Sequence, residues 1–220
     1  MDRQKKLALE RKERERTQRI ESILTVAKEL FFTKGYSRTT MDEIALESGF
    51  SKPTLYQYFK TKDDLYYSLL IPVVKDIFQQ LGEVKEKLAA EQYQTGAEFI
   101  HDLFKHYYLV YQNDPEGFSI LQLFQQTGML LELSEELRST IFHGGKKNYE
   151  AARHLVQVAI DQKLIKKVDI YPFVDVMWGG LFVGIVQLEL VKSIRKTRNR
   201  YLKSTLKLAE QVLIDSVALK

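Results

Sequence analysis

TTMDEIALESGFSKPTLYQYFKTK, residues 39–62, packs two helix starts, a glycine turn and an outward polar face into 24 residues. Thr40 is placed to accept from the Glu43 amide while the Glu43 carboxylate turns back to the Thr40 amide, a capping box that starts a short helix. Ile44 and Ala45 face inward, and Gly49 ends that helix in the left-handed backbone region that glycine enters without penalty. Ser51 then caps a second helix with Pro53 in its first turn, where a missing amide hydrogen costs nothing. Leu55 and Phe59, four apart, share its buried face. The opposite face carries Lys52, Pro53, Tyr56 and Gln57 near the N-terminus, the end that enters the major groove in helix-turn-helix docking. Thr61 reads as a further N-cap opening a third helix, with the acidic Asp63 and Asp64 in its first turn, and Lys62 stands at its positive end, which suits a phosphate.

Phe31-Phe32-Thr33-Lys34-Gly35-Tyr36, Thr39 to Ala45, Ser48 to Lys52 and Thr54 to Lys62 together resemble the DNA-binding domain of the tetracycline-repressor (TetR) family, ungapped over roughly residues 17–66. The resemblance implies an all-α homodimer with a three-helix head and a larger helical body that binds a small-molecule effector. The basic arm and head are expected over residues 1–62 and the effector-binding, dimer-forming body over 63–220. Double-stranded operator DNA is the implied partner. Lys52 and Tyr56 are expected at base edges, with Thr40, Ser51, Gln57, Tyr58 and Lys62 mostly at phosphates; Pro53 and Thr54 complete the DNA-facing set. Pro53 stands where many relatives have glycine, which alters the favoured bases.

Charge is distributed to match. Residues 1–62 hold 14 Lys/Arg against 9 Asp/Glu, residues 63–189 hold 11 against 18, and residues 190–220 hold 8 against 2. A basic head neutralises phosphates, while an acidic body is kept clear of them. Residues 1–19, with eight basic and four acidic side chains, read either as an arm or helical extension that tracks DNA or as a solvated, frayed tail. The basic stretch 192–207 reads as a solvated hairpin between the last two helices or as an anion-binding rim. Zero cysteines leave no disulfide, thiol sensor or cysteine metal site. The charged N-terminus lacks the apolar core of a signal peptide, so a cytoplasmic protein is expected.

After Lys62 the chain reads as helices over about 62–80, 83–91, 96–112, 115–126, 134–163 with a break near Gly144-Gly145, 170–194 and 197–218. Pro72 is expected to kink the first. Ile100, Leu103, Phe104, Tyr107, Tyr108 and Tyr111 form one inward stripe, and Phe118, Leu121, Gln122 and Gln125 share a face of the next helix. Buried amides want partners. These residues either pack on one another or enclose a pocket, for which Phe104, Tyr108, Tyr111, Phe118, Gln122, Met129 and Trp178 are the lining candidates.

Residues 173–191 are the most apolar run, but Asp175, Gln187 and Glu189 would be expensive in hydrocarbon, so no membrane partner is expected. Gly180 and Gly184 would let a second helix approach closely. That fits the dimer interface the resemblance implies, or packing inside one subunit.

Catalytic signatures are absent: there is no GxSxG, HExxH or GxxxxGK[ST] sequence. Asp102 and His106, four apart, are expected to form a surface pair. No enzyme activity, cofactor or metal is expected. The sequence thus reads as a ligand-responsive regulator, a repressor released from a palindromic operator by a small, largely apolar effector. The alternative is an effector-independent helix-turn-helix protein whose body serves protein partners or DNA organisation.

Overall fold

The structure, a computed structural model, describes residues 3–124, 133–188 and 202–219, with the backbone alone at 122–124. The described helices are α1 (Arg3–Lys34), α2 (Met41–Glu47), α3 (Lys52–Tyr58), α4 (Lys62–Ser68), α5 (Leu70–Ala89), α6 (Gly96–Asn113), α7 (Pro115–Phe124), α8 (Glu135–Asp161), α9 (Ile170–Leu188) and α10 (Leu202–Val217). The protein is all-α, as its sequence periodicity requires.

The chain forms two compact units. One comprises Met1–Leu69 with the described residues of Gly128–Arg138; the other comprises Leu70–Thr127 and Ser139–Lys220. The first unit extends past the boundary expected after Lys62, because α4 packs on α1. Tyr66 meets Phe31 edge-on at 5.1 Å and Tyr36 at 4.9 Å. Ile23, Ala27, Phe31, Ile44, Leu55 and Leu65 make its core, each at most 4% exposed.

In the second unit several expected breaks are absent. The expected kink at Pro72 is a fresh helix start at Leu70, which puts the proline in the first turn, where its missing N–H breaks no ladder bond. Helix α5 then runs through Gly82, held by the buried stripe Ile77, Leu81, Val84 and Leu88, whose burial exceeds glycine's helix penalty of about 1 kcal/mol. Helix α8 likewise runs unbroken through Gly144-Gly145. Gly144 serves packing: a Cβ there would lie 2.4 Å from Val74 Cγ1, so α8 and α5 touch where only a hydrogen fits.

Helix α9 is long and apolar enough to cross a membrane by length and composition, with mean hydropathy 1.4. Val174, Met177, Phe182 and Val186 on it are fully buried in the unit's own core. Its middle, Val176–Val183, is wound with wide π turns, which shift the side chains after Asp175 around the axis.

Candidate functional site

Two short helices at an angle need their ends satisfied, and hydroxyls do this in the head. Thr40 accepts from the Glu43 amide at 3.2 Å, Ser51 from Thr54 at 3.3 Å and Thr61 from Asp64 at 2.9 Å. Gly49, at φ 74°, turns the chain between α2 and α3. The Glu43 carboxylate bonds Lys34 instead of closing the expected capping box. Thr40 and Ser51, expected at phosphates, spend one acceptor each on these caps.

Leu55 and Phe59 close the inner face of α3, at 0% and 5% exposure. Lys52, Pro53, Tyr56 and Gln57 are exposed on the outside, while Thr54 and Tyr58 are half-buried at its edges. Lys52 Nζ lies 2.7 Å from the Asp42 carboxylate at the start of α2. Hydrogen bonding to Asp42, then its charge, raises the Lys52 pKa, so the ammonium is fixed as a cation.

Lys62 differs from its expected use. Its ammonium donates to the carbonyl oxygens of Tyr36 at 3.0 Å and Thr39 at 3.1 Å, and stands 4.2 Å above the Tyr36 ring. The Tyr36 hydroxyl donates to Asp63. The expected phosphate ligand is therefore half-buried in a clamp that ties the start of α4 to the α1–α2 connection. Asp64, also read as a helix-start acid, is buried and accepts from the Ser134 amide at 2.9 Å.

The pocket expectation also changes. Phe104, Tyr111 and Phe118 are buried in a packed aromatic cluster: Phe118 meets Tyr111 at 5.7 Å, Trp178 at 6.3 Å and Phe182 at 6.0 Å, and Phe104 meets Phe182 at 6.5 Å. Tyr108 packs against Tyr111 at 6.0 Å. Of the five lining candidates whose side chains are described, Trp178 borders a cavity. Met129 and the side chain of Gln122 lie outside the described residues.

The cavities instead lie where α5 faces α8. The larger, about 680 Å³, has Lys75, Phe78, Lys85 and Lys147 on its rim and Val74, Ile141 and Leu155 deeper in. The smaller, about 350 Å³, is walled by Ile77, Tyr107, Tyr149, Val174 and Trp178. Val74, Leu81, Ile141 and Asn148 border both, so the two adjoin. Asn148, 8% exposed, donates to the Val74 carbonyl at 2.9 Å, and its Oδ1 has no partner among the described residues. Lys75, Lys85 and Lys147 carry no ion pair among the described residues. The sequence did hold a signal here: Asn148 is the lone polar member of a stripe otherwise made of Leu137, Ile141, Ala152 and Leu155, one turn from Gly144.

Asp102 and His106 are no surface pair, being 8% and 4% exposed. His106 Nδ1 lies 2.7 Å from Gln80 Oε1 and its Nε2 lies 3.6 Å from Asp102, whose other oxygen accepts from Lys87 at 2.8 Å and Tyr93 at 2.7 Å. Burial raises the Tyr93 pKa, and its bond to Asp102 adds to that. This network ties α5 to α6 away from both cavities.

Gly180 and Gly184 meet little within one chain: among the described residues a Cβ on Gly180 finds nothing within 4 Å and one on Gly184 finds only the Gly179 carbonyl at 3.7 Å. Packing against the described residues therefore does not account for the pair. Val176 and Leu188 on α9 and Leu208 and Val212 on α10 are all more than half exposed, at 53%, 59%, 65% and 55%.

The sequence model of bacterial regulatory proteins, tetR family, matches residues 23–69. The HTH-type transcriptional activator FasR of Mycolicibacterium smegmatis is 31% identical over 105 residues, 45% of this chain and 48% of FasR, so the match spans about half of that relative. Among solved structures, FadR from Bacillus subtilis in complex with stearoyl-CoA superposes with a TM-score of 0.62 at 20% identity, over 86% of this chain and 96% of FadR. AibR in complex with isovaleryl coenzyme A and operator DNA gives 0.57 at 22% identity, over 77% and 86%. Residues 23–69 thus carry the DNA-binding head of the tetR family of bacterial regulatory proteins, and the rest of the chain shares the all-α fold of these solved structures.

Proposed function

We propose that the protein is a homodimeric DNA-binding regulator, a repressor released from a two-fold operator when its body takes up an amphiphilic effector of the acyl-CoA class. The outer face of α3 carries the DNA part: Lys52, Pro53, Tyr56 and Gln57 stand together, exposed, over a face closed by Leu55 and Phe59. Two such helices match successive major grooves only at about 34 Å or a multiple, so a small change in head separation removes most specific contacts. An effector acts by favouring a body arrangement that mis-spaces them. The exposed apolar side chains of α9 and α10, with Gly180 and Gly184 open beside them, support the dimer.

The effector class rests on the paired cavities. The smaller one suits an apolar chain, and the rim of the larger offers Lys75, Lys85 and Lys147 to an anionic head. The ligands named for FadR and AibR combine these two chemistries.

The test is a fluorescence anisotropy titration of the full chain on duplexes selected from random sequence. Selected duplexes should contain inverted half-sites. Palmitoyl-CoA should release them, and coenzyme A or palmitate alone should not. No duplex affinity at low salt would sink the regulator assignment. Binding that no acyl-CoA disturbs would sink the effector class and favour the effector-independent alternative.

A further inference from the structure

Residues 3–19 are exposed at every position, yet they continue α1 without interruption. At 1.5 Å per residue this is roughly 25 Å of helix outside the core of its own unit. A helix of this length is marginal in water on its own. Lys6–Glu10, Arg11–Glu15 and Glu13–Arg16 ion pairs support it at 4.0, 3.0 and 3.6 Å.

The remaining charges are ordered. At 100° per residue Lys5, Lys12, Arg16 and Arg19 fall within an arc of about 60° that contains no carboxylate. Lys5, Lys12 and Arg19, spaced by seven, carry no ion pair among the described residues, and Arg16 reaches only the exposed Glu13. The fully buried Ile23 lies in the same arc, so the stripe runs along the side of α1 that packs within the head. From Lys5 to Arg19 it covers roughly 21 Å, the axial length of about six phosphates on one strand.

We propose that this arm is a second DNA contact, in which Lys5, Lys12, Arg16 and Arg19 lie along the sugar-phosphate backbone outside the bases faced by α3. The proposal rests on the DNA-binding reading of the head. A helical rod with a cationic stripe at fixed spacing fits a regular line of phosphates, and the stripe adds affinity without adding sequence preference. The acids on its other faces hold the helix without meeting DNA.

The test compares the full-length parent with the triple variant Lys5→Ala, Lys12→Ala, Arg19→Ala on a mixed-sequence duplex across a salt series. Alanine keeps the helix, which circular dichroism verifies. Loss of three phosphate contacts should lower the slope of log affinity against log salt by about 2.7 units per head, a roughly 40-fold smaller loss of affinity between 50 and 200 mM salt. Equal slopes for parent and variant would overturn the arm contact while leaving the head reading intact. Absence of duplex binding by the parent would overturn both. A stripe that instead binds vesicles of mixed phosphatidylserine and phosphatidylcholine, with duplex affinity unchanged by the substitutions, would also overturn it.

Discussion

Lys52 Nζ sits 2.7 Å from Asp42 Oδ1, so the first residue of α3 is held by the second residue of α2. Both side chains are more than half exposed, at 54% and 67%, and an exposed pair of this kind adds little to stability. On DNA it acts differently. In the proposed DNA complex Asp42 would place a negative charge beside Lys52, which would have to leave it or share itself to reach a base. Asp42→Asn should tighten duplex binding and steepen the salt slope by about one unit per head, with no measurable change in melting temperature. An anisotropy salt series checks the first two effects, and weaker binding would show that Asp42 positions Lys52 rather than restraining it.

Lys62 predicts the opposite pattern. Two carbonyl oxygens and an aromatic face surround its ammonium, so Lys62→Ala removes a clamp and leaves those carbonyls to water. Charge-assisted hydrogen bonds of this kind contribute about 1.5 to 3 kcal/mol. Urea unfolding should show a loss of that order, while the salt slope of duplex binding at low denaturant stays near the parent's. A slope reduced by a full unit with stability unchanged would return Lys62 to the phosphates.

The contrast between these two lysines shows what was legible in the sequence. Capping hydroxyls, the turn glycine and the inward pair Leu55 and Phe59 are local, and each was readable within a few residues. The partner of a long cationic side chain is not local: Lys62 finds Tyr36 and Thr39 more than 20 positions away. The cavities lie away from most of the expected lining for a related reason. A tyrosine stripe on α6 marks a buried face, but whether that face packs or encloses space depends on what opposes it: Phe118, Trp178 and Phe182 pack on much of it and leave Tyr107 on the wall of the smaller cavity. The space opens instead beside Gly144, where the sequence suggested a helix break and close approach of α5 was the actual constraint.

The buried network gives a pH dependence. Burial pushes His106 below its usual 6.5, against the pull of the Asp102 carboxylate. Burial pushes Asp102 up, but hydrogen bonds from Lys87 and Tyr93 outweigh it and hold the carboxyl below 3.8. The folded imidazole therefore binds its proton less well than the unfolded one, so its contribution is complete above pH 6.5 and is lost as pH falls below that value. Melting temperature should drop by a few degrees between about pH 7.5 and 5.5, and His106→Gln should flatten that part of the profile. A parent curve that stays level there would mean Asp102 holds the ring protonated.

Assembly is tested at Gly184. A Cβ there meets only the Gly179 carbonyl at 3.7 Å among the described residues, so the folded subunit should tolerate leucine. Across a helix–helix contact the same side chain would hold the partner off, and a head on its own makes too few contacts for operator affinity. Sedimentation should find monomers of Gly184→Leu with a parent-like melting curve at the subunit level and weakened operator binding. A fully dimeric variant would move the interface to another face.

The cavity prediction turns on Asn148. Its Nδ2 donates to the Val74 carbonyl while its Oδ1 goes unpaired among the described residues, and it borders both cavities. Replacing it with leucine keeps the volume roughly, gives up one hydrogen bond of about 1 kcal/mol and also removes an unsatisfied acceptor, so the net stability change should be within about 1 kcal/mol. Operator binding without effector should match the parent. Release by palmitoyl-CoA should need a higher concentration, because the polar group between the chain and head compartments is gone, whereas Gly82→Phe, at a cavity-lining position where a Cβ meets nothing within 4 Å, should block release outright by filling the larger cavity. If both variants respond to acyl-CoA as the parent does, the effector does not bind between α5 and α8.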